Sequence, residues 1–376
     1  MIRIYAAAGV LFMTLAGCGE SITASAPYTW ELPPGVPPPP VPAENPMTAD
    51  KVELGRHLFY DNRLSINFEQ SCSSCHDQAL GFADGLAKPM GATGEMVPRN
   101  SQGLANVAYS PHLTWANHLL VELEDQLLIP MFGDDPVELG MADREDMLIE
   151  RLGADPIYEE LFAAAFPNQA TPISVPNLVR GLSSFIRSMT SFDAPVDRFA
   201  LLGDKDAMSD AAVRGMDLFL SERMECHHCH GGVGYTRAFE TENSRFSMRV
   251  FDNNGLYNLG GTGDYPLGGR GLYEVTGNPL DMGMFRPPSL RNIAVTGPYM
   301  HDGSIGTLNE VVDIYASAGQ VLTSGEHAGD GRAHPNKSGF VLGFELTDDE
   351  RADLLEFFDA LTDEDFLNRP QLSDPF

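Results

Sequence analysis

Apolar positions recur along this chain mainly at helical spacing. Leu178, Val179, Leu182, Phe185, Ile186 and Met189 fall at i, i+1, i+4, i+7, i+8 and i+11, the stripe of a helix that meets a core. Pro176 is compatible with that helix only in its first turn. Thr347 and Glu350 form a capping box, after which Leu354, Leu355, Phe357, Phe358 and Leu361 mark the apolar side of a C-terminal helix. Thr307 and Glu310 repeat the box before Val311, Ile314 and Tyr315. Two further helical stretches echo each other, Gly55-Arg56-His57-Leu58-Phe59 and Gly215-Met216-Asp217-Leu218-Phe219. Period-two alternation is scarce, and residues 231–288, rich in Gly, Asn and Asp, read mostly as loop. The pattern predicts a mainly α chain.

The N-terminal apolar run from Ile4 to Leu15 follows a single basic residue, Arg3, and is too short for a stable membrane span. It reads as a secretory signal over residues 1–17. Leu15-Ala16-Gly17-Cys18 resembles a bacterial lipobox, in which the cysteine is lipidated; an ordinary signal peptide with an incidental cysteine is the alternative. Both readings imply export. Gly19, not an aspartate, follows the cysteine, so the expected place is the periplasm, with a lipid anchor in the outer membrane as the only membrane contact. Pro33, Pro34, Pro37 to Pro40 and Pro42 favour polyproline II, so residues 18–47 are expected to form a tether. Pro195, Gly203 and nearby acids interrupt the helical pattern between Phe192 and Asp210. Two domains are therefore expected, residues 48–205 and 206–376.

Charge narrows the partners. Fifty-three acidic residues against 24 basic ones give a formal net charge of −29, which argues against nucleic acid. The surplus either keeps the protein soluble or steers a cationic partner.

Cysteine placement carries the chemistry. Apart from Cys18, every cysteine lies in one of two Cys-x-x-Cys-His motifs, Cys72-Ser73-Ser74-Cys75-His76 and Cys226-His227-His228-Cys229-His230. This pattern supplies two thiols for the vinyl groups of a c-type haem and a histidine for its iron. A zinc site or a thioredoxin-like dithiol is the competing reading, but no other cysteine lies near either motif to complete a zinc site. Two haems in one exported chain point to electron relay or peroxide activation, and each domain is expected to be cytochrome c-like.

Further motifs extend from about Lys51 to Leu361. They are Leu54-Gly55 with Leu58-Phe59-Tyr60-Asp61, Pro98-Arg99-Asn100-Ser101, Pro136-Val137-Glu138-Leu139-Gly140, Ser191-Phe192-Asp193, Pro288-Ser289-Leu290-Arg291-Asn292 and Thr296-Gly297-Pro298-Tyr299-Met300-His301-Asp302-Gly303. With the two haem motifs, the chain resembles the bacterial di-haem cytochrome c peroxidase and MauG superfamily. Trp30-Glu31-Leu32-Pro33-Pro34-Gly35 and Leu113-Thr114-Trp115-Ala116-Asn117 resemble its methanobactin-associated MbnH branch.

That resemblance implies roles for individual residues. His76 and His230 would be the proximal ligands. Counting along the helix after His301-Asp302-Gly303 puts Tyr315 where the peroxidases carry a methionine and MauG-type enzymes a tyrosine. Spacing alone fits a core tyrosine, and Met282, Met284 and Met300 are rival ligands. A phenolate is a hard anionic donor that stabilises oxidised iron. Ala92 stands where peroxidases carry a histidine that closes the first iron, so that iron is expected to be open; His112 and His118 are nearby substitutes, better read as surface or core residues. Glu138 matches the distal acid–base group, although by itself it reads as a solvated acid. Gln126 and Pro130 match other distal positions. Trp115 matches the tryptophan between the haems, as a hopping station, an anchoring aromatic, or both. Asn100, Thr296 and Pro298 match a calcium site, although Asn100 alone would commonly cap a turn.

The resemblance implies an enzyme that uses hydrogen peroxide to reach a bis-Fe(IV)-like state and oxidise a partner protein. In the MbnH branch this is tryptophan oxidation to kynurenine in a copper-binding MbnP-like partner. The alternatives are a peroxidase fed by a small cytochrome or cupredoxin, and a di-haem electron carrier without catalysis.

Overall fold

The computed structural model describes residues 26–376; the signal segment and Cys18 lie outside them. The described chain is mainly helical. Its helices are α1 (Ala49–Tyr60), α2 (Leu123–Phe132), α3 (Glu145–Gly153), α4 (Pro156–Ala165), α5 (Val175–Arg187), α6 (Pro195–Ala200), α7 (Asp210–Phe219), α8 (His227–His230), α9 (Tyr273–Thr276), α10 (Leu308–Ala316), α11 (Asp348–Asp359) and α12 (Glu364–Asn368). One small antiparallel ladder pairs Val321 with Asp330.

Local chemistry sets the helix starts. Thr307 Oγ1 accepts from Glu310 N at 3.2 Å, while the Glu310 carboxylate accepts from Thr307 N at 2.8 Å. Thr347 and Glu350 do the same for α11, at 3.2 and 3.0 Å. Each box satisfies N–H groups that a helix start leaves open. Pro176 lies in the first turn of α5, as its missing N–H requires.

The internal echo has a packing cause. A Cβ on Gly55 of α1 would lie 2.1 Å from the Gly181 carbonyl oxygen of α5. A Cβ on Gly215 of α7 would lie 2.0 Å from the Asp353 carbonyl oxygen of α11. Both helix pairs therefore touch backbone to backbone, which only glycine permits. Phe59 and Phe219, four residues on from these glycines, are buried at 0% and 1% exposure.

Two hydrophobic cores result, one around α1, α4 and α5, the other around α7 and α11. Their division differs from the expected break at 205/206. Ala194 and Val196 already belong to the second core. Phe366, Leu367 and Leu372, assigned from sequence to the second domain, pack in the first core. The tail is fastened there by polar groups: Gln78 donates to the carbonyls of Phe366 (3.1 Å) and Arg369 (3.0 Å), and the Tyr60 hydroxyl donates to Leu372 O at 2.6 Å.

The proline tract also departs from expectation. Over residues 26–47 it lies against the body instead of acting as a free spacer. Val36, Asn45 and Met47 are buried. The Tyr109 hydroxyl donates to Pro37 O at 3.1 Å, and Glu242 N donates to Pro38 O at 2.9 Å. An extended chain offers unpaired carbonyls, and donors from the body take them. No described helix is long and apolar enough to cross a membrane.

Residues 231–288 are mostly loop, as expected, and buried amides organise them. Asn253 donates to Met282 O at 3.0 Å, and its Oδ1 accepts from Gly255 N (2.8 Å) and the Tyr265 hydroxyl (2.9 Å).

Candidate functional site

The first Cys-x-x-Cys-His motif follows α1 and opens with a 3-10 turn, Cys72–Ser74. Burial pushes both thiols up to about 12. Such thiols are poor thiolates, unlike a redox-active dithiol. Among the described residues, none of the motif cysteines joins a cluster of three or more metal-capable side chains, so a zinc centre does not fit. The His76 ring points Nδ1 at Phe82 O, 2.7 Å away. This fixes the ring and leaves Nε2 as the coordinating nitrogen. Burial holds His76 below the usual histidine range, and so neutral and able to ligate.

Glu138 faces the same place. Its charge raises the pKa of both Cys72 and Cys75, so the carboxylate lies within electrostatic reach of the motif. Burial pushes its own carboxyl above the usual range, unlike the solvated acid that sequence alone suggested. Backbone pairing fixes this segment. Ala92 N donates to Glu138 O at 2.6 Å, and Leu139 N donates to Pro130 O at 2.9 Å. The second bond ties the Glu138 segment to the end of α2, which carries both Gln126 and Pro130. Gln126 Oε1 is buried without a hydrogen-bond partner, as suits a group awaiting a ligand. Ala92 contributes no coordinating side chain.

The second motif forms α8. His230 Nδ1 lies 3.0 Å from Pro288 O, and burial pushes its pKa down to about 4. A cavity of about 250 Å³ opens beside it, lined by Cys226, Cys229, His230 and Tyr315 among others. Tyr315 projects from α10, and burial pushes its phenol up to about 12. The Cys226 and Cys229 thiols and Asp252 add to the rise, against a hydrogen bond from Asn254. Arg286 and Arg291 line the same cavity, but neither is among the groups that shift the phenol; a metal centre in this cavity would draw the phenolate out. Of the rival methionines, Met282 and Met284 do not line the cavity. Met300 does, but its sulfur accepts from Asn254 Nδ2 at 3.4 Å. The donor set thus fits a haem held by two thiols, an imidazole and a phenolate.

Trp115 and the proposed calcium ligands border that cavity as well. The indole Nε1 donates to Asn100 O at 2.8 Å. The Asn100 Nδ2 donates to Leu86 O at 2.8 Å, which leaves its amide oxygen as the free group. Asn100, Thr296 and Pro298 all border this cavity, and an amide oxygen with backbone carbonyls would be hard donors of the kind calcium takes. His112 is buried and stacks on Phe251 with ring centroids 5.2 Å apart. Neither it nor His118 lines the cavity.

Sequence reasoning passed over Arg286 and Gln102. Arg286 is buried, its backbone N donates to Trp115 O at 2.8 Å, and its guanidinium donates to Thr114 O at 3.2 Å and to Gln102 Oε1. Nothing marks this arginine except its place just before Pro287-Pro288, since its partners lie far off in sequence.

A model of the di-haem cytochrome c peroxidase family matches residues 49–206. The methylamine utilization protein MauG of Methylorubrum extorquens is 33% identical over 334 residues, covering 86% of this chain and 81% of that protein. The cytochrome c peroxidase IdrP1 of Denitromonas iodatirespirans is 37% identical over 351 residues, covering 87% and 85%. Among solved structures, a MauG-like protein associated with microbial copper homeostasis superposes with a TM-score of 0.90 at 48% identity, covering 93% of this chain and 99% of that one. Likeness of this extent, over both motifs, means that the chain belongs to the di-haem cytochrome c peroxidase and MauG family, whose members are haem-dependent oxidoreductases acting with peroxide and with a protein partner or redox donor.

Proposed function

We propose that this chain is a MauG-type oxidase: it uses hydrogen peroxide, without prior reduction, to oxidise a residue of a partner protein docked on its surface. The observation that carries this reading is Tyr315, an oxygen donor in the second cavity where a peroxidase would present sulfur. When bound, the haem at the first motif supplies an iron that takes peroxide, and the haem at the second supplies an iron that shares the oxidising equivalents.

The remaining work falls to the protein. Glu138 takes the proton from the near oxygen of peroxide and returns it to the leaving oxygen. Its raised carboxyl suits both halves of that exchange. The unpartnered Gln126 Oε1 accepts a hydrogen bond from the incoming peroxide, and Pro130 shapes the same wall. Ala92 offers no side-chain ligand that would close the first iron. His76 and His230, each held through Nδ1, have Nε2 left to ligate, and would hold the two haem irons through it. Trp115 relays oxidising equivalents between the two centres. Asn100 and the carbonyls of Thr296 and Pro298 would hold a calcium ion, which would stiffen the region around the relay.

A partner too large to enter the pocket is served by electron transfer through the protein. The similarity to a MauG-like protein associated with copper homeostasis supports a copper-binding MbnP-like partner whose tryptophan becomes kynurenine. Export and a lipid anchor at Cys18 complete the proposal, in the periplasm at the outer membrane. The test is one equivalent of peroxide added to the fully ferric protein. A long-lived oxidised optical state should form at once and decay faster with the partner present; reactivity that appears only after half-reduction would favour the cytochrome-fed peroxidase.

A further inference from the structure

Between the two cysteines of the second motif lie His227 and His228, which the peroxide chemistry does not use. Their rings sit side by side, centroids 4.2 Å apart. The Glu222 carboxylate faces both, with Oε1 3.6 Å from His227 Nε2 and Oε2 3.7 Å from His228 Nε2. These separations are too long for hydrogen bonds. They are close to the spacing of donors around one ion, since ligand atoms about 2.0–2.1 Å from a tetrahedral metal lie roughly 3.4 Å apart. Taken together, one ligand atom from each of the three residues falls within 4.8 Å of the others.

Glu225 Oε2 lies 2.6 Å from His228 Nε2, closer than the ~3.4 Å spacing of donors around one tetrahedral ion, so Glu225 is an ion-pair partner of that ring. In His227 it is Nε2 that faces Glu222, while Nδ1, on the other side of the ring, is buried. The His228 ring is also pre-set, stacked on Phe340 with centroids 4.2 Å apart. Glu222, whose side chain is 80% exposed, leaves the cluster open to solvent.

We propose that Glu222, His227 and His228 bind one divalent transition-metal ion, copper(II) most tightly, with solvent completing its shell. Imidazole and carboxylate donors without thiolate suit borderline dications, and copper(II) heads their affinity order. The chain's large negative charge concentrates cations at its surface. Glu222, His227 and His228 do not themselves line the neighbouring cavity, and the site does not depend on the peroxide reading.

The experiment titrates the full-chain holoenzyme with Cu²⁺, followed by calorimetry and by EPR in the copper region. One tightly bound ion per chain is expected, with superhyperfine structure from two imidazole nitrogens. Glu222→Ala, at an exposed position, should weaken binding more than ~10-fold. His228→Gln should leave a single coupled nitrogen, with the haem absorbance of both variants unchanged as a check on folding. Zn²⁺ should compete for the same ion's place. If the wild type holds no site-bound copper, or if Glu222→Ala and the wild type bind it alike, these residues form an ion-paired histidine cluster only and the proposal is wrong.

Discussion

Trp115 and His230 are hydrogen-bonded to opposite ends of one short segment: Arg286 N donates to Trp115 O at 2.8 Å, and Pro288 O faces His230 Nδ1 at 3.0 Å. Two prolines between these bonds fix the backbone, because a proline ring locks φ. The indole is held independently through Asn100 O. The backbone of Trp115 is therefore mechanically tied to His230 of the second motif. Trp115→Phe keeps an aromatic of similar shape but removes the oxidisable indole. Both haems should be retained and peroxide should still be consumed, while oxidation of the protein substrate slows at least ~10-fold, equivalent to about 1.4 kcal/mol of barrier. Stopped-flow absorbance of the two steps separates them.

Glu138 makes a prediction about pH and stability together. Its carboxyl is raised by burial. A carboxyl raised in the folded state favours folding only below its unfolded-state value, about 4.3, and that contribution is lost as pH rises through the folded value. At neutral pH the buried charge is therefore a cost. Glu138→Gln should melt at or above the wild-type temperature at pH 7 while its peroxide rate falls by about 10²–10⁴-fold. In the wild type the base is lost as pH falls through the raised value, so the acid limb of the rate should lie above the ordinary glutamate range and vanish in the variant.

The two helix contacts at glycine should be equally intolerant. Gly55→Ala and Gly215→Ala each set a Cβ against a carbonyl oxygen of the neighbouring helix. Overpacking of this kind costs about 1–3 kcal/mol or more. Chemical denaturation should show both variants destabilised, whereas an alanine at Gly203, which has open space around it, should be penalised only through its positive φ.

Calcium removal should act on the relay and leave the haems in place. Asn100 carries the proposed ion on its side chain and the Trp115 indole on its backbone carbonyl. Incubation with a calcium chelator should slow substrate oxidation without loss of either haem's absorbance. Calcium should restore the rate and magnesium should not, because its tighter octahedral demand does not match these donors.

Much of this was legible in the sequence because it is local. The capping boxes of α10 and α11, the stripe of α5 and the two haem motifs are short-range patterns, and each forms where the spacing put it. The glycine echo was visible, but its cause was not, since Gly181 and Asp353 lie far along the chain. The C-terminal return of Phe366 and Leu372 to the first core depends on tertiary contacts with Tyr60 and Gln78 that leave no periodic trace. The proline tract was misread because composition reports backbone stiffness, not whether donors such as Tyr109 wait nearby to bond it. Arg286 escaped for the same reason: its importance lies in Trp115 and Gln102, far off in sequence.

On the function proposed above, Tyr315 gives the second iron an oxygen ligand while the first iron keeps a position free. EPR of the ferric protein as isolated, compared with Tyr315→Met, reads both irons at once. One high-spin signal and one low-spin signal of histidine–tyrosinate type are expected, the latter alone changing in the variant. A wild-type spectrum with histidine–methionine ligation, or with both irons low-spin and six-coordinate, would contradict it.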